Sequence, residues 1–509
     1  GTFAPILKIR NMKFYTGLFF ICLSAMLMTG LHSCYEEDDF TTDPSDLIEF
    51  STDTLRFDTV FTQIGSATRS MKIYNRNTRP IRISKISFKG NKGLIFRMNV
   101  DGLPGTVFEN IEINARDSIY LFAEVTINPD LPVSVSPFII QDEIVFETNG
   151  VTQNVLIEAW GQNANYFPSR FGKGGFWSPC TAPLITWDDP KPYVIYGSLV
   201  VDECILDIPA GTNIYVHGGL AKTDNSQIYN DGYIIVLANG RINIKGTLEK
   251  PVIIQGDRLE EEFEERAGQW SGIIIDDLSR GNLIEFATVK NSILGIAVDS
   301  LASVALKNVQ IFNTSSAGLA GIHCQITAEN CLIHSNGSNS VLLSYGGNYL
   351  FSFCTFASYG VDAAALSMAN GICEDPPFCT KVRGNTLNAT FNNSIIFGSR
   401  ADEITISDFT GANNARLNYN FKNCIVRTKD LTDPNRGGFA DFYDHCNPCI
   451  NTNSQAVLFR DADEDDYHLD SLSIAEMQAF PIIGILKDLD GNDRDSQQPD
   501  IGCFEFVPR

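Results

Sequence analysis

Four cysteines in the second half of the sequence lie in two close pairs. Cys373 and Cys379 flank an acidic, proline-containing stretch that we expect to form a loop, and Cys446 and Cys449 are separated by two residues. In an oxidising location each pair is expected to form a disulfide. The alternatives are a redox dithiol, or a metal site using His445, Cys446 and Cys449. No βαβ pattern or second pair at zinc-finger spacing accompanies them, so we predict no metal and no cofactor.

Carboxylates are the next candidates, because glycan-cleaving enzymes use paired acids for acid–base chemistry. Asp276, Asp277, Asp299 and Asp362 are the noteworthy acids, but no motif pairs them, and solvent-facing positions at turns are the simpler interpretation. The sequence therefore assigns no catalytic residue.

Acidic stretches could also hold calcium, which prefers clustered oxygen ligands. The stretch from Asp488 to Asn492 resembles part of a calcium loop, but it lacks the glycine at the sixth place and has Pro499 at the twelfth. A turn is favoured there. The acidic runs 260–265 and 461–466 are expected to be solvated loops, with calcium an alternative for the second.

Four aromatic residues are candidates for stacking on sugar rings, which aromatic faces can do. They are Trp270, Tyr345, Tyr349 and Tyr359. Core packing is the alternative for each.

A repeat in the second half of the sequence is expected to set the positions of these residues in the fold. Four six-residue segments with apolar first, fourth and sixth positions recur at spacings of 22, 22 and 23 residues, and the register returns in two more segments after longer excursions, the first of which has Ser394 at its fourth position. The segments are Ile284–Val289, Leu306–Ile311, Ala328–Ile333, Phe351–Phe356, Phe391–Ile396 and Phe421–Val426. Such a period, made of short strands and turns, is typical of a β-solenoid.

The solenoid interpretation makes a direct structural prediction. Ala287, Val309, Cys331 and Cys354 should stack in consecutive coils, and Cys331, Cys354 and Cys424 should act as small inward-facing hydrophobes. Glycine is expected at tight coil corners, where the backbone needs positive φ.

The region before the repeat has a different pattern. From residue 48 to 164, runs such as Ser70–Asn75 and Ile81–Ile86 alternate apolar with polar residues between glycine, proline and asparagine turns. This predicts an immunoglobulin-like β-sandwich. The expected fold class is all-β, with the sandwich followed by a right-handed parallel β-helix over residues 165–509, including a C-terminal closing segment.

The first 33 residues are expected to be upstream residues and a signal peptide. An apolar run from Phe14 to Gly30 follows Lys13 and is followed by Leu31-His32-Ser33-Cys34. This end resembles a bacterial lipobox, which implies lipid attachment at Cys34 and an outer-membrane lipoprotein. An uncleaved anchor is the alternative. Residues 34–47 would form a tether whose acidic start resembles the export signal of Bacteroidetes surface lipoproteins, so cell-surface exposure is favoured over the periplasm.

Two motifs beyond the tether also resemble uncharacterised Bacteroidetes surface lipoproteins, namely Ala159-Trp160-Gly161-Gln162 and Pro499-Asp500-Ile501-Gly502-Cys503-Phe504-Glu505. The glycine-containing segments between 208 and 273 resemble the opening coils of right-handed parallel β-helix proteins. The N-terminal layout resembles a hydin-type immunoglobulin-like module. This resemblance covers most of the chain and implies architecture, with no catalytic role.

The net charge of the chain disfavours some classes of binding partner. The formal net charge of −23 disfavours nucleic acid and anionic lipid surfaces, because an acidic protein gains nothing from displacing their counterions. The leading hypothesis is a non-catalytic surface lipoprotein whose β-helix presents a face to a glycan or a surface protein. The alternative is a polysaccharide lyase or glycoside hydrolase of the β-helix type, and a structural envelope component is a third reading.

Overall fold

The computed structural model describes residues 40–61, 68–90, 94–127, 138–162, 164–167, 175–222, 228–259, 263–411, 416–436 and 438–508. Cys34 and the acids that follow it lie outside these residues. The described chain divides into two compact units, the first within 1–56, 68–125 and 141–158, and the second within 57–67, 126–140 and 159–509. Among the described residues, no helix has the length and apolar character needed to cross a bilayer.

The first unit is built from two five-stranded sheets, with strand orders β1-β3-β8-β5-β6 and β2-β10-β9-β4-β7. The pairs β1/β3, β3/β8, β5/β6, β4/β7 and β4/β9 are antiparallel. The strands are β1 Glu49–Phe50, β2 Thr54–Phe61, β3 Arg69–Tyr74, β4 Ile81–Phe88, β5 Leu94–Val100, β6 Leu103–Gly105, β7 Val107–Ile113, β8 Ser118–Ile127, β9 Phe138–Thr148 and β10 Val151–Gln162.

The two sheets of the first unit pack face to face, as an immunoglobulin-like sandwich requires. Ring centroids of Phe50 and Phe146, one from each sheet, lie 4.7 Å apart, and those of Phe88 and Phe96 lie 5.2 Å apart. The sandwich follows from the alternation in the sequence, because every second side chain of a strand faces the other sheet.

The second unit is a parallel β-helix whose strands β11 to β39, apart from two short hairpins, belong to one 25-stranded sheet. The strands up to β25 are β11 Asn165–Phe167, β12 Phe176–Trp177, β13 Leu184–Thr186, β14 Tyr193–Tyr196, β15 Ser198–Val201, β16 Ile205–Pro209, β17 Asn213–His217, β18 Gly219–Lys222, β19 Ile228–Asp231, β20 Tyr233–Val236, β21 Arg241–Lys245, β22 Val252–Gly256, β23 Gly272–Ile275, β24 Asn282–Lys290 and β25 Ile296–Val298.

The remaining elements complete the β-helix and its C-terminal segment, where two 3₁₀ helices (η1, η2) occur. They are β26 Ser303–Thr314, β27 Leu319–Glu329, β28 Leu332–Asn336, β29 Val341–Ser352, β30 Thr355–Ser358, β31 Leu366–Ala369, β32 Gly371–Cys373, β33 Val382–Gly384, β34 Leu387–Asn392, β35 Ile395–Gly398, β36 Ile404–Ser407, β37 Leu417–Lys422, β38 Cys424–Val426, η1 Phe442–Asp444, β39 Cys449–Asn451, β40 Phe459–Asp461, η2 Ala462–Glu464 and β41 Asp466–Leu469. The pairs β18/β19, β32/β33 and β40/β41 are antiparallel hairpins.

The predicted 22-residue repeat sets the register of the coils. Ile284 pairs with Leu306, Leu306 with Ala328, and Ala328 with Phe351. The register then continues across the two longer excursions to Phe391 and Phe421. Each coil thus satisfies its backbone hydrogen bonds through its neighbours, which is the predicted basis of the solenoid.

The column of small side chains is also confirmed. Ala287 pairs with Val309, and the residues that directly follow Cys331 and Cys354 pair with each other. The three column cysteines, Cys331, Cys354 and Cys424, are fully buried. Burial raises the pKa of the Cys424 thiol to about 12, so it behaves as a hydrophobe.

The corner between the two halves of each 22-residue repeat contains mostly asparagine, whereas the expected glycines with positive φ occur in the opening coils, as at Gly211, Gly268 and Gly272. Asn308, Asn330, Asn393 and Asn423 have φ between 50° and 53°. Asparagine tolerates this left-handed conformation better than most residues. Its side chain has a second role here, because the amides of Asn330, Asn393 and Asn423 donate to backbone carbonyls of Lys487, Phe480 and Gln478 in the C-terminal segment.

Candidate functional site

The outer face of the β-helix carries a row of amide side chains on strands β27, β29, β34 and β37. Gln325 pairs in register with Asn348, Asn348 with Asn388, and Asn388 with Asn418. All four are exposed, while their strand neighbours, such as Ile326 and Leu387, are buried. We call these four residues the amide row; neighbouring members are spaced by one coil, about 4.8 Å.

Hydrogen bonds connect three members of the amide row, Asn348, Asn388 and Asn418, along the β-helix axis. Nδ2 of Asn388 donates to Oδ1 of Asn348 over 2.8 Å, and Nδ2 of Asn418 donates to Oδ1 of Asn388 over 2.9 Å. An amide group has two N–H donors and two acceptor lone pairs, so one contact on each side leaves capacity for a ligand. The ladder also holds the side chains in fixed orientations.

A groove of about 410 Å³ adjoins the amide row, and its lining includes Arg280, His323, Gln325, Asn348 and Asn388. Nε of Arg280 donates to the carbonyl of Leu301, which fixes the guanidinium group beside the groove. Among the described residues, Nδ1 of His323 is buried and makes no hydrogen bond. We call this the amide groove.

The hairpin β32–β33 stands beside the amide groove, because Asn385 and Thr386, which line the groove, directly follow it in sequence. Arg383 on β33 forms an ion pair with Glu374 over 2.5 Å, and the nearby side chain of Tyr345 helps to raise the pKa of the Arg383 guanidinium. Tyr345 in turn contacts the ring of His323, with centroids 5.7 Å apart. These contacts link the hairpin to the groove wall.

A second depression, which we call the acidic cleft, has a volume of about 620 Å³. Its lining includes Glu265, Tyr359, Asp463, Asp465 and Tyr467. It gathers carboxylates from the loop before β23 and from the C-terminal segment. The acidic run 461–466, which we had expected to be a solvated loop, therefore contributes to a structured surface.

Asp465, which lines the acidic cleft, does not have the raised pKa of a catalytic acid. Burial alone would raise the pKa of Asp465, but hydrogen bonds from His334, Ser335 and Tyr467 lower it overall. The Ser335 hydroxyl donates to Oδ1 of Asp465 over 2.6 Å. Such a carboxylate stays ionised and accepts hydrogen bonds.

Glu403 has a raised pKa, but its environment indicates a structural role. Burial raises its pKa to about 7, and the side chain is 0% exposed. Its two oxygens accept the backbone N–H groups of Ala365 and Arg400. A substrate therefore has no access to it.

Residues 180–294 match the family model of the pectate-lyase-like β-helix domain. This match agrees with the parallel β-helix seen in the second unit. A comparison with curated protein sequences finds no significant match.

The comparison with solved structures finds weak structural similarity. The catalytic unit of a GH87 α-1,3-glucanase from Streptomyces thermodiastaticus is 10% identical, with 70% of this chain and 74% of that chain covered and a TM-score of 0.28. The catalytic domain of a GH87 α-1,3-glucanase in complex with tetrasaccharides is 11% identical, with 70% and 80% covered and a TM-score of 0.18. An alkylpurine DNA glycosylase from Pseudomonas fluorescens is 10% identical, with 22% of this chain but only 30% of that chain covered and a TM-score of 0.13. Scores this low support no argument about function.

Two of the four predicted sugar-stacking residues are buried in the β-helix, so that prediction is wrong for them. Trp270 is 1% exposed and its Nε1 donates to the carbonyl of Lys290. Tyr349 is 4% exposed and its hydroxyl donates to the carbonyl of Gly346. Their ring faces pack in the core and cannot meet a ligand. Tyr345 lies half-buried beside the amide groove, and Tyr359 lines the acidic cleft.

The structure contains three disulfides among the described residues: Cys373–Cys379, Cys446–Cys449 and Cys180–Cys204. The third was missed by sequence analysis. Because Cys446 and Cys449 are joined, their thiolates are not free to bind a metal with His445. In the described part of the chain, no group of three or more His, Cys, Asp or Glu side chains could hold a metal ion.

Two of the four acids singled out as catalytic candidates, Asp299 and Asp362, have structural partners. The carboxylate of Asp299 accepts the N–H of Ser300, and Asp362 forms an ion pair with Arg400. Asp276 and Asp277 do not line the amide groove or the acidic cleft. In the suspected calcium loop, Asp488 accepts the backbone N–H of Asn492, and Asp490 pairs with His468 over 2.8 Å.

Sequence analysis also missed the amide row, although the signal was present. The row stands three residues before each of the last four aligned repeat segments, where the sequence reads Gln325, Asn348, Asn388 and Asn418. Extending the alignment by three positions would have shown the column.

Proposed function

We propose that the β-helix unit binds a glycan along the amide row and in the amide groove, without cleaving it. The observation that carries this proposal is the exposed, mutually hydrogen-bonded amide ladder next to a groove with Arg280 and His323. Sugar hydroxyls donate and accept hydrogen bonds, and fixed amides do the same, so the two surfaces complement each other. A chain of sugars along the axis would meet a new amide at every coil.

The proposal predicts that two amides of the row contribute measurably to affinity. In a protein comprising residues 35–509, the double variant Gln325→Ala/Asn388→Ala is expected to weaken binding about tenfold, since two neutral hydrogen bonds contribute about 1–3 kcal/mol. A glycan-array screen identifies the probe, and titration with the best probe measures the affinity. Gln455→Ala/Gln497→Ala, which removes exposed amides away from the groove, is the matched control.

Equal binding by both double variants would contradict the amide row as the binding surface. If residues 35–509 capture a surface protein and bind no glycan of the array, a protein partner would be favoured.

The acidic cleft supports a second candidate function, glycan cleavage, because it brings Glu265, Asp463 and Asp465 to one depression. Reducing-sugar and unsaturated-product assays on the same polysaccharides decide between the two. Turnover that is lost in Asp463→Asn but kept in Gln325→Ala/Asn388→Ala would replace the binding proposal with an enzymatic one. Absence of products beside measurable binding supports a non-catalytic role.

We also propose that the protein is a lipoprotein of the outer membrane, anchored through Cys34 and exposed at the cell surface. The support is the apolar leader, the lipobox-like Leu31-His32-Ser33-Cys34 and the acidic residues that follow. Cells given radiolabelled palmitate are expected to label the protein, and Cys34→Ala is expected to abolish the label. Cys22→Ala, in the leader, is the control. Label retained in Cys34→Ala refutes the anchor, and protection from protease on intact cells refutes surface exposure.

A further inference from the structure

The first unit has an open groove of about 850 Å³ over strands β5, β6 and β8. Its lining includes Arg97, Asn99, Pro104, Phe122 and Glu124. We propose that this groove is a separate binding site for an uncharged polysaccharide, in which one sugar ring stacks on Phe122. The proposal does not rest on the amide row, which belongs to the other unit.

The aromatic side chains of β8 are the first support. Tyr120 and Phe122 are two residues apart and therefore share a face of the strand. They are 45% and 39% exposed, while Leu121 and Ala123, on the other face, are 0% and 1% exposed. The core of the sandwich thus does not use these two rings, and adjoining exposed apolar side chains can mark an interaction surface.

The geometry of the pair presents Phe122 to the groove. Its ring and that of Tyr120 are within 19° of parallel, with centroids 5.7 Å apart. Nζ of Lys72 lies 4.9 Å from the centroid of the Tyr120 ring. Of the two rings, Phe122 lines the groove and Tyr120 does not. Tyr120 and Lys72 therefore buttress Phe122, whose ring is available to the apolar face of a sugar.

The charges around Phe122 select the class of ligand. Nη1 of Arg97 and Oε1 of Glu124 are 3.9 Å apart, and the two side chains are 70% and 47% exposed. A loose, exposed pair can turn towards hydroxyl groups at little cost, because such pairs contribute little by themselves. One positive and one negative group leave the lining neutral, which suits a polyhydroxylated ligand without charge.

A peptide that adds to the sheet edge is the competing occupant, because β6 is an edge strand. Such a peptide would be held mainly by backbone hydrogen bonds of Leu103–Gly105. It would therefore depend little on the ring of Phe122. A sugar, in contrast, loses its stacking surface when the ring is removed, so the two occupants respond differently to one substitution.

The test is retardation of residues 35–509 in native gels that contain mannan, dextran or soluble starch. The Gln325→Ala/Asn388→Ala background weakens the contribution of the amide row, and it is the same in every variant compared. In that background, Phe122→Ala is expected to weaken the retardation by at least one of these polysaccharides about threefold to tenfold, the range expected for loss of a ring contact. Val107→Ala, on a 54% exposed residue of β7 in the other sheet, is the control and should have no effect.

Each other outcome overturns the proposal. Equal retardation of the Phe122 and Val107 variants excludes stacking on Phe122, and no retardation by any of the three polysaccharides excludes the proposed ligand class. Conversion of a dimer to a monomer by Phe122→Ala in size-exclusion chromatography, with retardation unchanged, assigns the face to a second copy of the chain. Because the Phe122 and Val107 variants share the same weakened amide row, a difference between them reports the first unit alone, and failure here leaves the function proposed for the β-helix unaffected. Far-ultraviolet circular dichroism confirms that each variant is folded.

Discussion

Replacing Phe391 with alanine is expected to lower the free energy of unfolding of the β-helix by about 3–5 kcal/mol. Phe391 is fully buried in the column that also contains Phe351 and Phe421. Its ring is within 4° and 7° of parallel to theirs, at centroid distances of 5.2 and 4.5 Å. Truncation removes two stacked contacts and leaves a cavity that the regular coils above and below can fill only by distorting their register.

The position of Phe391 also predicts which part of the unit unfolds first. In a solenoid each coil is stabilised mainly by its neighbours, so a defect weakens the coils around it. All four tryptophans lie at or before Trp270, so their fluorescence reports the early coils and the preceding chain. Far-ultraviolet circular dichroism reports all strands. In guanidinium titrations of Phe391→Ala, the dichroism midpoint should fall further than the fluorescence midpoint.

Phe378→Ala is the matched control for Phe391→Ala. Phe378 is 80% exposed in the loop between β32 and β33, so its truncation should change the free energy of unfolding by less than about 0.5 kcal/mol. Equal losses in the two variants would show that the stacked column does not stabilise the coils. A uniform shift of both probes in Phe391→Ala would show that the unit unfolds as one cooperative block.

The column residues could be predicted from the sequence because the inside of a coil accepts only apolar or small side chains. That requirement is repeated in every coil. Both the regular spacing and the residue types of Ala287, Val309 and Cys331 therefore identify them as inward-facing. Gly272, in an early coil, fits the expected use of glycine, with φ of 131° and a Cβ that would lie 1.9 Å from the carbonyl oxygen of Leu294. At Asn308 and Asn330 the φ values are milder, so asparagine suffices.

Exposure of single aromatic residues could not be predicted, because residue type does not determine which side of a coil a ring occupies. Trp270 and Tyr349 each have a polar atom that finds a backbone carbonyl, so both can be buried. The Cys180–Cys204 disulfide was missed because the early coils vary in length and give no gap-free alignment. The neighbouring pairing of Leu184 with Ile205 shows that it joins adjacent coils.

The two candidate sites of the β-helix differ in how much of each could be predicted from the sequence. The amide row is periodic, so the same alignment that found the core contains it. The acidic cleft combines Glu265 with Asp463 and Asp465, which are about 200 positions later in the chain. Only the path of the C-terminal segment along the side of the coils brings them together. Hydrophobic periodicity contains no information on that path.

Arg494 holds the C-terminal segment to the β-helix, and its replacement by methionine is expected to lower the free energy of unfolding by about 3–5 kcal/mol. Its Nη1 donates to Oε1 of Glu505 over 2.8 Å, and its Nη2 donates to Oδ1 of Asn330 over 2.9 Å and to the carbonyl of Gly502. The guanidinium carbon lies 3.8 Å from the ring centroid of Phe353. The two charged side chains are 2% and 9% exposed.

Most of that loss should come from Glu505, which Arg494→Met leaves buried without its cation. Burial raises the pKa of Glu505 and lowers the pKa of Arg494, so both ions resist desolvation and depend on each other. The double variant Arg494→Met/Glu505→Gln should therefore recover part of the stability. Lys245→Met is the control, because the ion pair of Lys245 with Asp207 is half exposed and contributes at most about 1 kcal/mol.

The pH dependence of the Arg494→Met defect gives an independent check. Without Arg494 the folded-state pKa of Glu505 should rise further above its unfolded value. A raised carboxyl pKa means that the folded state holds the proton more tightly, so its stability is highest below the unfolded pKa and is lost as the pH rises through the folded pKa. The difference in unfolding midpoint between Arg494→Met and the unsubstituted protein should thus be larger at pH 8 than at pH 5. A defect that is constant over this range, or one that the double variant does not relieve, would mean that lost packing against Phe353 explains the effect and the buried charge does not.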